Sequence, residues 1–273
     1  MSSNLTDDEV REAAAFLSTE RLTAFVQLAG SDRDAIALHH QTMQLGAALM
    51  PVTGMIEVVL RNAICERLRH TFGHPDWLTN PPPPFAWKGE EENNIKNAGR
   101  MARRAAYAKL SQTEKRKLDA LAYPNGVPAG LSHEAHSKAR QKVVPITQGQ
   151  LIAQLTLFFW KRLFSPDYDA TLWQRSLRGL FPNKALSRTD ISANLETLYQ
   201  ARNRIAHHEP VMKARLARVI AAADFVALNF HAKTPSEDAI LAKMTAPYRQ
   251  ALKTEAAALD ALLARFTVTP SAP

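Results

Sequence analysis

Residues 191–211 read ISANLETLYQARNRIAHHEPV. Ile191, Leu195, Leu198 and Ile205 recur at intervals suited to a helix, with Tyr199 less cleanly in line, so one side is apolar and the other polar. Ser192 to about His208 is therefore expected to form one amphipathic helix with its apolar side in a bundle. Pro210 disfavours helical geometry at Glu209, which leaves His207 and His208 in the last turn.

The same periodicity runs outward in both directions. Glycine is scarce, β-branched runs are short, and Ala, Leu, Arg and Glu recur at spacings of three and four, so the fold class is all-α, a helical bundle. Thr6 to Glu9 and Ser31 to Asp34 match capping boxes, predicting helices near 7–28 and 32–48. Pro51 then starts or kinks a third helix over about 52–71, which ends before Gly73-His74-Pro75. PPPP at 81–84 and YPNGVPAG at 123–130 are full of turn formers, so the segment between them is expected to be a helical hairpin inserted on the bundle. Further helices are expected near 148–164, 212–231 and 235–266, with a short Trp-bearing segment near 170–180. The whole is read as one domain over 1–273 with its core at about 35–230 and a frayed tail, TVTPSAP.

With 273 residues, 46% of them apolar, the chain can bury a sizeable core. A long uncharged stretch, Gln41 to Ile56, is interrupted by Pro51 and Gly54 and is expected to fall short of a membrane span. The N-terminal MSSNLTDDEV is polar and acidic, unlike a secretory leader, so a cytoplasmic location is expected. A single cysteine, Cys65, excludes an internal disulfide and a cysteine-based zinc site.

The net charge of +8 favours an anionic partner. It is concentrated between Lys96 and Lys117, where eight Lys or Arg face one acid, Glu114. Lys96, Arg100, Arg103, Arg104 and Tyr107 fall on neighbouring helical rows, which suits an RNA-tracking surface and equally a solvated basic face.

The end of the 191–211 helix carries candidate chemistry. Asn203 and His207 are four apart, as are Arg204 and His208, so each histidine has a polar neighbour one turn back. The negative pole of the helix dipole favours an imidazolium there. Attack by an internal 2′-hydroxyl on a phosphodiester needs a base, an acid and a cation for the crowded phosphorane, and His, Arg and Asn are the residue types that serve. The same residues also suit simple capping of the helix C-terminus. No metal site is expected: adjacent histidines diverge by about 100° on a helix, and His133 with His136 lacks an obvious third ligand.

The run Arg202-Asn203-Arg204-Ile205-Ala206-His207-His208-Glu209-Pro210 resembles the signature of the Abi-like (abortive infection) proteins of the HEPN superfamily, an arginine, usually followed by a polar residue, with four to six positions between the arginine and a histidine, here four between Arg202 and His207. IEVVLRNAICERLRHTFGHPDW (56–77), LTLFFWKRLF (155–164) and LWQRSLRGLFPN (172–183) are similar to the family's other helices, in its order. The resemblance implies a metal-independent, cofactor-free endoribonuclease acting as a toxin or in phage defence. It further implies a homodimer in which both signature helices line one cleft, and it leaves room for a cognate antitoxin or a phage trigger. On the same footing Arg202 would stabilise the phosphorane, His207 would act as general base or acid, and Asn203 would orient phosphate or imidazole. Arg204, His208, Glu57 and Arg61 would support them, the last two also being spaced for an ion pair within their helix. Some relatives carry a tyrosine three residues after the histidine; here that position is Pro210.

Two other functions fit the same residues. One is a non-catalytic module that binds RNA or nucleotide or senses a phage component. The other is a structural interaction protein in which Arg202, Asn203 and His207 are tied up within one chain.

Overall fold

The computed structural model describes residues 4–268, so the end of the expected tail, 269–273, lies outside them. In chain order the helices are α1 (Asp7–Leu17), α2 (Thr19–Ala29), α3 (Asp32–Phe72), α4 (Gly89–Ala108), α5 (Gln112–Lys117), α6 (Asp119–Ala122), α7 (His133–Val143), α8 (Gln148–Ile152), α9 (Leu157–Arg162), α10 (Arg188–Ala206), α11 (Lys213–Asn229) and α12 (Ile240–Val268). The protein is all-α, with no strand among the described residues. Two compact units emerge, one made of the chain up to Asn62 and from Arg178 onward, the other of Ala63–Leu177. Helix α3 contributes residues to both.

In the first unit the expected helix over 7–28 is broken at Ser18, which has φ 68° and serves both as C-cap of α1 and as N-cap of α2. Its hydroxyl accepts from Arg21 N–H at 3.4 Å, so a serine that can cap offsets the helical bond it forgoes. The capping box at Thr6 forms as expected, with Glu9 N–H on Thr6 Oγ1 at 3.3 Å and Thr6 N–H on Glu9 Oε2 at 2.7 Å; at Ser31 the hydroxyl accepts from Asp34 N–H at 3.2 Å and donates to the Asp34 carboxylate at 2.9 Å.

The two helices expected on either side of Pro51 are one. Pro51 lies inside α3 on its exposed side, where water can reach the carbonyl whose helical donor the proline lacks. A buried stripe at Leu38, Leu45, Leu49, Val52, Ile56, Leu60, Ile64 and Leu68 keeps the helix continuous through the proline. By length and composition α3 is apolar enough to cross a membrane, contrary to the expectation from Pro51 and Gly54. The buried stripe is that of a core helix, a pattern compatible with a soluble protein.

Helix α10 starts at Arg188, four residues before the expected Ser192, because Ser187 and Asp190 form a complete capping box. Ile191, Leu195, Leu198 and Ala201 are buried, and each large apolar side chain so placed contributes about 1.5–3 kcal/mol. Helix α11 packs against both α10 and α12. Arg249 of α12 is 4% exposed and locks α11 and α12 together: it donates to Asp224 at 2.6 Å, to Glu237 at 2.5 Å and to the Ala242 carbonyl at 3.2 Å.

In the second unit the expected hairpin is α4 followed by two short helices, α5 opened by a Ser111–Glu114 capping box. The helix expected over 148–164 is interrupted between α8 and α9, and Trp160 Nε1 donates to the Leu155 carbonyl at 3.3 Å in the gap. The core is aromatic, with Trp87 packed on Phe85 (4.8 Å between centroids) and Phe159 (5.6 Å). Beside it Glu91 is fully buried and accepts from Arg162 Nε at 2.8 Å and from the Tyr168 hydroxyl at 2.7 Å. Burial pushes the Tyr168 hydroxyl well above the usual tyrosine value.

Candidate functional site

Helix α10 ends at Ala206, so the two histidines stand just past the last helical residue rather than in the last turn. His207 caps the helix at φ −97°, ψ 11°, the sparsely populated bridge region in which many active-site residues sit. His208 follows in the left-handed region at φ 56°. Its N–H bonds the Ile205 carbonyl at 2.9 Å and the Glu209 N–H bonds the Arg204 carbonyl at 2.7 Å, which is a Schellman motif with histidine where glycine is usual. Two side chains hold the turn: Arg204 pairs with Glu209 at 2.9 Å, and Arg21 of α2 donates to the His208 carbonyl at 3.2 Å.

His207 and His208 are exposed, while Arg202 and Asn203 are half-buried. Arg202 Nη1 reaches Asn203 Oδ1 only at the 3.5 Å limit, so most donors of that guanidinium remain available to a ligand. The backbone ties the group together, because the His207 N–H bonds the carbonyls of Asn203 and Arg204 at 3.1 Å each. Arg204 has turned to Glu209 instead of standing beside His208 as the spacing suggested. Among the described residues Glu57 and Arg61 form no ion pair with each other or with the 202–209 segment; Arg61 Nε donates to Asn62 at 3.2 Å.

Several neighbours of this site gave no sequence signal. Gly46 is buried under the end of α10, where a Cβ would meet Ile205 Cγ2 at 3.4 Å, so α3 and α10 approach closely there. A cavity of about 320 Å³ opens beside it, walled by Met43, Ala47, Met50, Ile205, His208 and Pro210. Met43 and Met50 are 42% and 41% exposed, an uncovered apolar wall next to the polar helix end. His39 packs edge-on against Phe25 at 5.4 Å. Burial holds its imidazole below the ordinary histidine value, and the charges of Arg21, His40 and His208 add to the effect. A second cavity of about 320 Å³ between α10 and α11 collects Arg204, Arg215 and Arg218. Arg204 Nε is buried there without an acceptor.

The candidate RNA-binding residues lie in the second unit. Arg100 and Arg104 are exposed, Arg103 is half-buried, and Lys96 is exposed but paired with Glu92 at 2.7 Å. Tyr107 is not on this face: it is 9% exposed and packs with Leu118 and Val144, with Lys115 Nζ 5.0 Å from the ring centroid. Its aromatic row is the inner side of α4. His133 opens α7, as expected for a surface helix start, and His136 bonds Asp119 at 2.7 Å. Among the described residues no three His, Cys, Asp or Glu side chains converge as a metal-binding set.

Comparison with known proteins adds nothing to this geometry. No family model, curated protein or solved structure matches the chain.

Proposed function

We propose that the protein is an RNA-cleaving effector of the Abi-like HEPN type, an all-α phage-defence or toxin protein whose reaction centre is the end of α10. The observation that carries this reading is an exposed histidine in the bridge region, one turn beyond a half-buried Arg202–Asn203 pair with donors to spare. His207 would take the 2′-hydroxyl proton or return one to the leaving oxygen, and Arg202 would stabilise the charge of the phosphorane, giving a 2′,3′-cyclic phosphate. Asn203 would orient phosphate or imidazole. Lys96, Arg100, Arg103 and Arg104 would hold RNA through its phosphates.

A single histidine fills one of the two proton roles at a time, so a homodimer with two such ends in one cleft suits the reaction. The uncovered Met43 and Met50 wall beside His208 supports pairing there. Sedimentation tests it, with wild type expected to run as a dimer and Met50→Glu as a monomer.

Incubation of the purified protein with total RNA in EDTA tests the activity. Wild type should cut, and His207→Ala should lose about 10²–10⁴-fold in rate. Equal cutting by both would refute the assignment. A second reading, a binding module without bond cleavage, is favoured by the half-exposed Arg202 and by the arginines gathered between α10 and α11. It predicts salt-dependent RNA binding by wild type and His207→Ala alike, with no cyclic-phosphate product from either.

A further inference from the structure

In the second unit a cavity of about 880 Å³ forms a groove between α4 and α7. Arg100, Arg103 and Arg104 form one wall, and Lys138 and Lys142 form the other. Arg100 and Arg104 are one helical turn apart, as are Lys138 and Lys142, so two rows of cations with about 6 Å between members face each other. The single acid in the lining, Glu134, is already paired with Lys138 at 2.6 Å. Arg100, Arg104 and Lys142 have no carboxylate partner among the described residues. Like charges gathered without counterions repel one another, and an anionic ligand relieves that cost.

The far wall is held in place. Arg140 binds Asp119 through two bonds of 2.7 and 2.6 Å, and His136 binds the same carboxylate at 2.7 Å. These residues pin one side of α7 and leave Lys138 and Lys142 on the groove side. Arg103 also lines an adjoining cavity of about 480 Å³, together with Lys96, Trp87, Ile95 and Leu151. The indole N–H of Trp87 is spent on the Leu78 carbonyl at 2.8 Å, which fixes the ring as an apolar wall of that second cavity.

We propose that this pair of cavities is a binding site for single-stranded RNA, with consecutive phosphates running between the α4 and α7 cation rows and one unstacked base entering the pocket against Trp87. A cation track with an aromatic wall beside it suits a single strand, whose bases are free to leave the stack; a duplex offers phosphates but no free base. The assignment rests on the reading of the protein as an RNA-directed effector and adds Lys138, Lys142 and Trp87 to the residues that hold the substrate.

Fluorescence anisotropy with a labelled single-stranded RNA, and with the same RNA annealed to its complement, tests it in a His207→Ala background, in which cleavage is expected to be about 10²–10⁴-fold slower. The single strand should bind more tightly than the duplex. Lys138→Ala with Lys142→Ala should weaken binding at least about fivefold near 100 mM salt and reduce the slope of log K against log salt by about 1.4, roughly 0.7 for each lost contact. Trp87→Leu should weaken it about tenfold with the slope unchanged. Circular-dichroism melting checks that the lysine variants, exposed on a surface helix, remain folded. Unchanged affinity and slope in the lysine double variant, or equal binding of the duplex, overturns the proposal. Cleavage that needs His207 but ignores the double variant would sink this site and leave the nuclease reading standing; the reverse pattern would do the opposite.

Discussion

Arg249 and Arg202 belong to the same unit and use the same side chain in opposite ways. Arg249 is buried, and its two terminal nitrogens are committed to Asp224, Glu237 and a backbone carbonyl. Arg202 is half-exposed and has one marginal bond to its own neighbour. The second unit repeats the contrast, with Arg140 and Arg162 bound to carboxylates while Arg100 and Arg104 stand in solvent. A guanidinium whose donors are spent inside the chain holds helices together. One whose donors are spare keeps them for something outside it.

The sharpest break of this comparison is a pair of alanine variants. Arg249→Ala removes the tie between α11 and α12 and leaves Asp224 with Lys253 alone, so it should cost about 1–3 kcal/mol in urea unfolding. Arg202→Ala should change stability by less than about 0.5 kcal/mol and lower RNA cleavage about 10²–10³-fold. If the two exchanged these effects, the distinction between structural and available arginines would be wrong.

Acid titration sharpens it further. Folding holds the His39 imidazole below its ordinary value, so the unfolded chain takes up the proton first. The stability this represents is whole above about pH 6.5 and is lost as the pH falls through the lower folded value. Asp224 behaves with the same sign in a lower window. Burial pushes its carboxyl up, but the bonds from Lys253 and Arg249 of α12 outweigh it and hold the net value below the usual carboxylate range. Its contribution is present above about pH 4 and fades below that. His39→Phe should flatten the first limb of a stability-against-pH curve and leave the second.

The smallest expected effect is at the turn itself. His208 sits at φ 56°, where a side chain costs about 1 kcal/mol and glycine is free of that cost. His208→Gly should raise stability by about 0.5 kcal/mol after the added unfolded-state entropy of glycine. Thermal melting checks it. Cleavage that survives this change would mark His207 as the histidine that matters.

Local chemistry was legible wherever near neighbours decide it. The capping pairs Thr6–Glu9 and Ser31–Asp34, the apolar face of α10 and the stop before Pro210 all depend on residues within a few positions of one another. The same holds for Arg202, Asn203 and His207 as a cluster, since they share the end of one helix. Continuity was less legible. The sequence marked a break at Pro51 and none at Ser18, yet the helix runs through Pro51 and stops at Ser18: the long buried stripe of α3 outweighs one missing bond at an exposed position, and Ser18 caps both helices it separates.

Periodicity and composition were enough to make this an all-α chain with a polar, histidine-bearing helix end, because both follow from 3.6 residues per turn and from side chains close along the chain. Packing alone decided that Arg204 serves Glu209, that Tyr107 faces inward, that Arg21 props the histidine turn, and that Lys138 and Lys142 stand opposite Arg100 and Arg104. Those partners lie on different helices or across a turn, and which of them meet depends on how helices rotate and stack to bury apolar surface, a choice made by the whole core at once.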